Sequence, residues 1–97
     1  MPTYLIQSQW TDQGIRSVKD SAKRLDLGKK KLKDMGGEIK AVYLTTGAFD
    51  MVAVVEVPND TTLAAYALWL GSQGNLRTQT VKAFTEDEYR RIIGELN

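Results

Sequence analysis

Few groups in this chain could do chemistry. It has 97 residues and contains neither histidine nor cysteine. That removes the commonest general base, the commonest metal ligand, thiol nucleophiles and disulfides. Zinc sites and Ser-His or Cys-His catalysis are set aside with them. Proton transfer near neutral pH would fall to a carboxylate or a lysine with a displaced pKa. Asp50 is the best-placed candidate. It follows Thr46-Gly47-Ala48-Phe49 and stands just before the apolar run Met51 to Val55. At a pocket mouth it could act as a base. In a turn it would accept backbone N–H bonds or meet a cation on a neighbouring strand, as short polar side chains commonly do. The turn role is preferred. Gly47-Ala48 fit a two-residue hairpin loop, and glycine at its first central position is what a type II′ turn needs.

A second set is Gln7, Gln9, Arg77 and Gln79. Each pair is spaced by two, so each lies on one face of its own strand. Amides and a guanidinium could hold a carboxylate or another small anion, with arginine making two parallel contacts. Alternatively they bond to one another within a subunit interface, which is preferred because buried polar groups need partners. Trp10 and Tyr43 could line a pocket with Asp50 and Arg77. Those four are the candidate ligand-binding residues, while Gly47 and Phe49 are read as turn-structural. Trp10 and Trp69 also suit plain core or interface packing. The loop Gly71-Ser72-Gln73-Gly74-Asn75 precedes a strand, whereas phosphate cradles precede a helix N-terminus. Lys29, Lys30, Lys31 and Lys33 have no aromatic platform nearby, and the net charge is +1. They read as a solvated face and not a nucleic-acid site.

The elements that must position these residues follow from periodicity. Residues 3–10 are rich in β-branched and aromatic types and read as a strand. Ile15, Val18, Ala22, Leu25, Leu32 and Met35 form a helical stripe. Asp20-Ser21 are poor mid-helix residues and predict a kink there. Gly36-Gly37 end the helix. Strands are predicted at 38–46 and 49–57, the second stopped by Pro58. Asn59-Asp60 cap a helix over 61–70 with Leu63, Ala67 and Leu70 on one face. A fourth strand covers 75–84. Thr85 and Glu88 form a capping box that opens a terminal helix carrying Tyr89, Ile92, Ile93 and Leu96. The order β-α-β-β-α-β-α predicts an α+β, ferredoxin-like fold: four antiparallel strands with both long helices on one face.

That arrangement leaves a face uncovered. On the third strand Phe49, Met51, Ala53, Val55 and Val57 share one side, and Val52 and Val54 make the other apolar too. The second strand carries Ile39, Ala41 and Tyr43 on one side, Val42 and Leu44 on the other. A solvated antiparallel face should be polar at alternate positions. The terminal helix is too narrow to cover four strands, so the face predicts self-association, as a homodimer or higher homo-oligomer.

The composition, 42% hydrophobic and 26% charged, suits one globular domain over 1–97. The small net charge gives no global attraction to nucleic acid or an anionic membrane. MPTYLIQSQW lacks the basic and long apolar parts of a signal peptide, and no apolar run could span a bilayer. A cytoplasmic location is expected, and no cofactor is implied.

The words QWTDQG at 9–14, KDSAKR at 19–24, the GAFD turn and LGSQGNLRTQT at 70–80 resemble the GYD domain family. Phe49 stands where the family's Tyr would be, so a role for that phenol is absent here. The resemblance implies a dimeric α/β barrel, in which two ferredoxin-like sheets pack together. Its wider fold group includes cofactor-free monooxygenases, haem enzymes and amino-acid-sensing modules, so it names no single activity. Two readings stay open. One is an oligomeric small-molecule-binding or interaction module, preferred because no catalytic pair is visible. The other is a small cofactor-free, oxygenase-like or isomerase-like enzyme using a pocket carboxylate such as Asp50.

Overall fold

A computed structural model describes residues 1–96. Four strands, β1 (Thr3–Trp10), β2 (Glu38–Leu44), β3 (Met51–Glu56) and β4 (Leu76–Ala83), form one sheet. Their spatial order is β2-β3-β1-β4 and every neighbouring pair is antiparallel. This is the ferredoxin-like order expected of the sequence. The helical segments are α1 (Asp12–Arg16), a 3-10 turn at Val18–Asp20, α2 (Ser21–Asp34), α3 (Asp60–Ser72) and α4 (Glu86–Gly94).

The local signals work as their chemistry requires. Asn59 accepts the Thr62 N–H and caps α3. Thr85 and Glu88 exchange side-chain-to-backbone bonds at the start of α4. At the end of α2, Gly36 has φ +89°. There Gly37 N–H donates to the Leu32 carbonyl at 2.9 Å and Gly36 N–H to that of Lys33 at 3.0 Å. Such a reversal favours glycine, because a side chain is strained at positive φ. The long first helical pattern breaks at Ser17–Asp20, and α2 begins at Ser21.

One sheet face carries the core. Tyr4 and Ile6 of β1, Val55 of β3 and the following Val57 are buried against Leu32 of α2 and Leu63 and Tyr66 of α3. Ile15 and Ala22 are exposed and do not join this stripe; Ile15 lies in α1, which the break at Ser17–Asp20 separates from α2. Tyr66 joins the core between Leu63 and Leu70, and burial raises its phenol pKa to about 12.

Two further expectations are corrected. A β-bulge between Ile39 and Ala41 shifts the β2 register. Ile39 therefore shares the helix-side face with Val42 and Leu44, while Ala41 and Tyr43 point to the open face. The β2–β3 connection is also longer than a two-residue hairpin: it spans 45–50, and Gly47 does not have positive φ. Thr45 N–H donates to the Asp50 carbonyl at 2.8 Å and closes this wider loop, so no type II′ turn is needed.

Candidate functional site

The loop at 45–50 ties three strands together through Asp50. Its backbone N–H donates to the Ser8 carbonyl at 2.8 Å. Its carboxylate Oδ2 accepts the Trp10 backbone N–H at 3.0 Å. With the Thr45 bond, Asp50 joins the ends of β1 and β2 to the start of β3. Gln9 Nε2 donates to the Ala48 carbonyl at 2.6 Å, and the Thr45 hydroxyl donates to the Phe49 carbonyl. Phe49 thus takes part in the turn through its backbone, and the Asp50 carboxylate is engaged in holding β1.

The open sheet face is built from cross-strand rows. Ala41, Val54, Leu5 and Val81 form one row across all four strands. Tyr43, Val52, Gln7 and Gln79 form the next. Beyond them Gln9 pairs with Arg77. Residues directly opposite have Cβ atoms about 5 Å apart, so the Gln7–Gln79 and Gln9–Arg77 pairs gather on one end of this face. Its centre is aliphatic and its β1–β4 end is amide and guanidinium. Leu5 and Val81 were missed as members of this face, although counting by two back from Gln7 and forward from Gln79 reaches both.

The structure divides the four ligand candidates. Trp10 pairs with Leu76 and points to the helix side, where it borders a cavity. Tyr43 and Arg77 lie on the open face but on opposite edge strands, three strand spacings or about 14 Å apart. Asp50 sits in the loop, bonded to β1. No single pocket gathers them. Among the described residues no three Asp or Glu side chains come together to hold a metal ion, and no helix is long and apolar enough to cross a membrane.

The terminal helix adds a second uncovered surface. Tyr89, Ile92, Ile93 and Leu96 are 42–69% exposed, and Phe84 before them is 57% exposed. The cap is nevertheless well made: the Thr85 backbone N–H, then its hydroxyl, holds the Glu88 carboxyl below the usual carboxylate range. The Cα radius of gyration is 14.6 Å, against about 12.5 Å for a compact chain of this length. The molecule is thus extended, with a long axis of 52 Å.

The GYD domain model matches residues 4–93. The chain belongs to the GYD domain family. A GYD relative from Thermus thermophilus, the glutamine synthetase and cystathionine beta-lyase binding protein, is 32% identical over 84 residues, covering 86% of this chain and 88% of its own length. No solved structure matches the chain. Within the family's namesake turn this GYD chain has Phe49, whose contribution to the loop is a carbonyl that any residue supplies.

Proposed function

We propose that this GYD chain is an interaction module: a homodimer joined through the open sheet faces that docks onto a larger metabolic enzyme. The observation that carries the reading is the open face itself, with an aliphatic centre that spans all four strands and is half-buried to exposed. Water contact with such a centre is unfavourable, and a second copy brings the same self-complementary surface. The sheet face has a footprint of only about 19 by 25 Å, near 480 Å². A stable interface takes about 800 Å² from each partner. The exposed apolar side of α4 supplies the kind of surface that closes this gap. The dimer we propose therefore includes Phe84, Tyr89, Ile92 and Ile93 beside the sheet.

In that dimer the helix layers face outward and are left to meet a larger partner. The Thermus relative is named for binding two enzymes, and binding of this type is the role proposed here. The catalytic alternative gains no support: the Asp50 carboxylate is spent on the Trp10 N–H, and Tyr43 and Arg77 are a sheet's width apart.

Sedimentation velocity tests both parts. The chain alone at low micromolar concentration should sediment as a dimer or larger. Mixed with the glutamine synthetase and the cystathionine beta-lyase of its own host, it should co-sediment with at least one. A clean monomer overturns the sheet-face assembly, and free sedimentation beside both enzymes at tens of micromolar overturns the docking role.

A further inference from the structure

On the helix side, the sheet and helices line a partly open apolar cavity of about 140 Å³. One helix contact borders it. The Tyr66 hydroxyl donates to the Gly28 carbonyl at 2.9 Å. A Cβ on Gly28 would stand 3.2 Å from that hydroxyl, so α2 and α3 approach closely there. The cavity's helical lining runs from Ser21 to Gly28 on α2 and from Tyr66 to Gln73 on α3, all on one side of that contact. The helices roof the sheet from the crossing outward without filling the space beneath.

The floor carries a polar pair. Ser8 and Thr78 are direct cross-strand partners on β1 and β4, and both border the cavity. Ser8 is only 6% exposed. Among the described residues, every side-chain N or O fully shut away from solvent has a hydrogen-bond partner. Among the described residues no side-chain hydrogen bond engages the Ser8 hydroxyl, and Ser8 borders the cavity. Around this pair the walls are aromatic and aliphatic: Trp10, Trp69, Met51 and Leu25. Tyr66 stacks on Trp69 with ring centroids 6.0 Å apart, which steadies one wall.

Charge and size narrow the ligand. Arg24, the one charged residue of the lining, donates to the Ser17 carbonyl at 2.9 Å and the Gly14 carbonyl at 3.2 Å. Its guanidinium is held against α1 and is not free to clamp an anion. An apolar cavity of about 150 Å³ takes up benzene. A hydroxyl pair with Ser8 buried and Thr78 half-buried rewards a ligand that can hydrogen-bond and penalises one that cannot. We propose that this cavity is a binding site for a neutral molecule the size of one six-membered ring, bearing a hydroxyl or carbonyl that meets Ser8 and Thr78. The site lies on the opposite sheet face from the proposed dimer contact and does not depend on it.

Phenol and toluene are the probes, because they match in size and differ in the polar group. Each is titrated into the purified chain while the two indole N–H signals, from Trp10 and Trp69, are followed by NMR. Phenol should shift both saturably and bind roughly fivefold more tightly than toluene, the worth of one net hydrogen bond. Combining Ser8→Ala with Thr78→Val should remove that preference and leave toluene binding in place. Ala53→Leu, which fills the floor from β3, should abolish binding of both. Should Ala53→Leu unfold the chain, the double variant carries the test by itself. Absence of saturable shifts, or an undiminished phenol preference in the double variant, overturns the proposal. So do shifts confined to Gln7 and Gln79 on the open face.

Discussion

Replacing Val54 by Asp should separate the proposed dimer while leaving the protomer folded. Val54 is the centre of the open face, between Leu5 on β1 and Ala41 on β2. In a lone protomer it is half-buried, with its outer side toward water. An Asp there keeps water on that side, and the cost is mostly lost strand preference, about 1 kcal/mol. In the dimer the same position is closed off. No cation lies in its row, whose members are Ala41, Leu5 and Val81. An unpaired carboxylate enclosed in this way costs at least about 3 kcal/mol. That corresponds to a factor of roughly 150 in the association constant. Two-fold symmetry introduces the change twice, so the combined weakening should exceed about 10⁴-fold. Sedimentation velocity at low micromolar concentration should show wild type as dimer and Val54→Asp as monomer. Circular dichroism melting confirms that the variant is folded. A folded Val54→Asp chain that sediments like wild type would refute the sheet-face interface, because no relaxation of side chains hides a charge at the middle of an aliphatic row that crosses four strands.

Five other outcomes are expected. Arg77→Ala should weaken assembly at least severalfold more than Lys30→Ala, since Lys30 makes only an exposed pair with Asp34 at 2.9 Å, worth about 0.5 kcal/mol or less; equal, negligible effects in sedimentation would make Arg77 a plain surface residue. Gly14→Ala would place a Cβ 2.1 Å from the Asn75 carbonyl oxygen, which accepts the Thr11 N–H, so urea titration should show a loss of about 2–4 kcal/mol. Gly47→Ala meets nothing within 4 Å and has no positive φ to strain; it should leave stability unchanged or raise it by up to about 1 kcal/mol. Asp50→Ala should cost about 1–2 kcal/mol by leaving the Trp10 N–H without its partner, while Asp50→Asn, which keeps an oxygen acceptor, should cost less; equal costs in thermal melts would show that the charge, lost in both, matters more than the bond. Tyr66 is neutral when protonated, and burial raises its pKa from 10.0 to about 12 in the fold. Its contribution is therefore complete below pH 10 and is lost as pH rises toward 12, on the order of 2 kcal/mol. Tyr66→Phe should flatten that alkaline decline, and parallel pH profiles for the two proteins would count against a phenol buried at Gly28.

The sequence by itself determined the elements and their order, because the signals for those act within a few residues. Asn59, Thr85 and Gly36 each satisfy or reverse backbone groups no more than four positions away. The strand periodicity of two and the apolar character on both sides of β3 were equally legible, and with them the uncovered face. What only the tertiary structure decided was which residues meet across strands and how far apart the helices stand. The bulge at Lys40 moves Ile39 to the helix side, a shift that a strict alternation from Glu38 to Leu44 cannot reveal. The pairing of Gln9 with Arg77 depends on the register of β1 against β4, which 60-odd intervening residues must fold to set. Gly47 looked like a tight turn because glycine permits one, but the Thr45–Asp50 and Asp50–Ser8 bonds select a wider loop. The cavity is the clearest case. Ser8 and Thr78 read as ordinary strand hydroxyls until Tyr66 meets Gly28 and two helices roof the sheet above them, an outcome of packing between residues 38 apart in the chain.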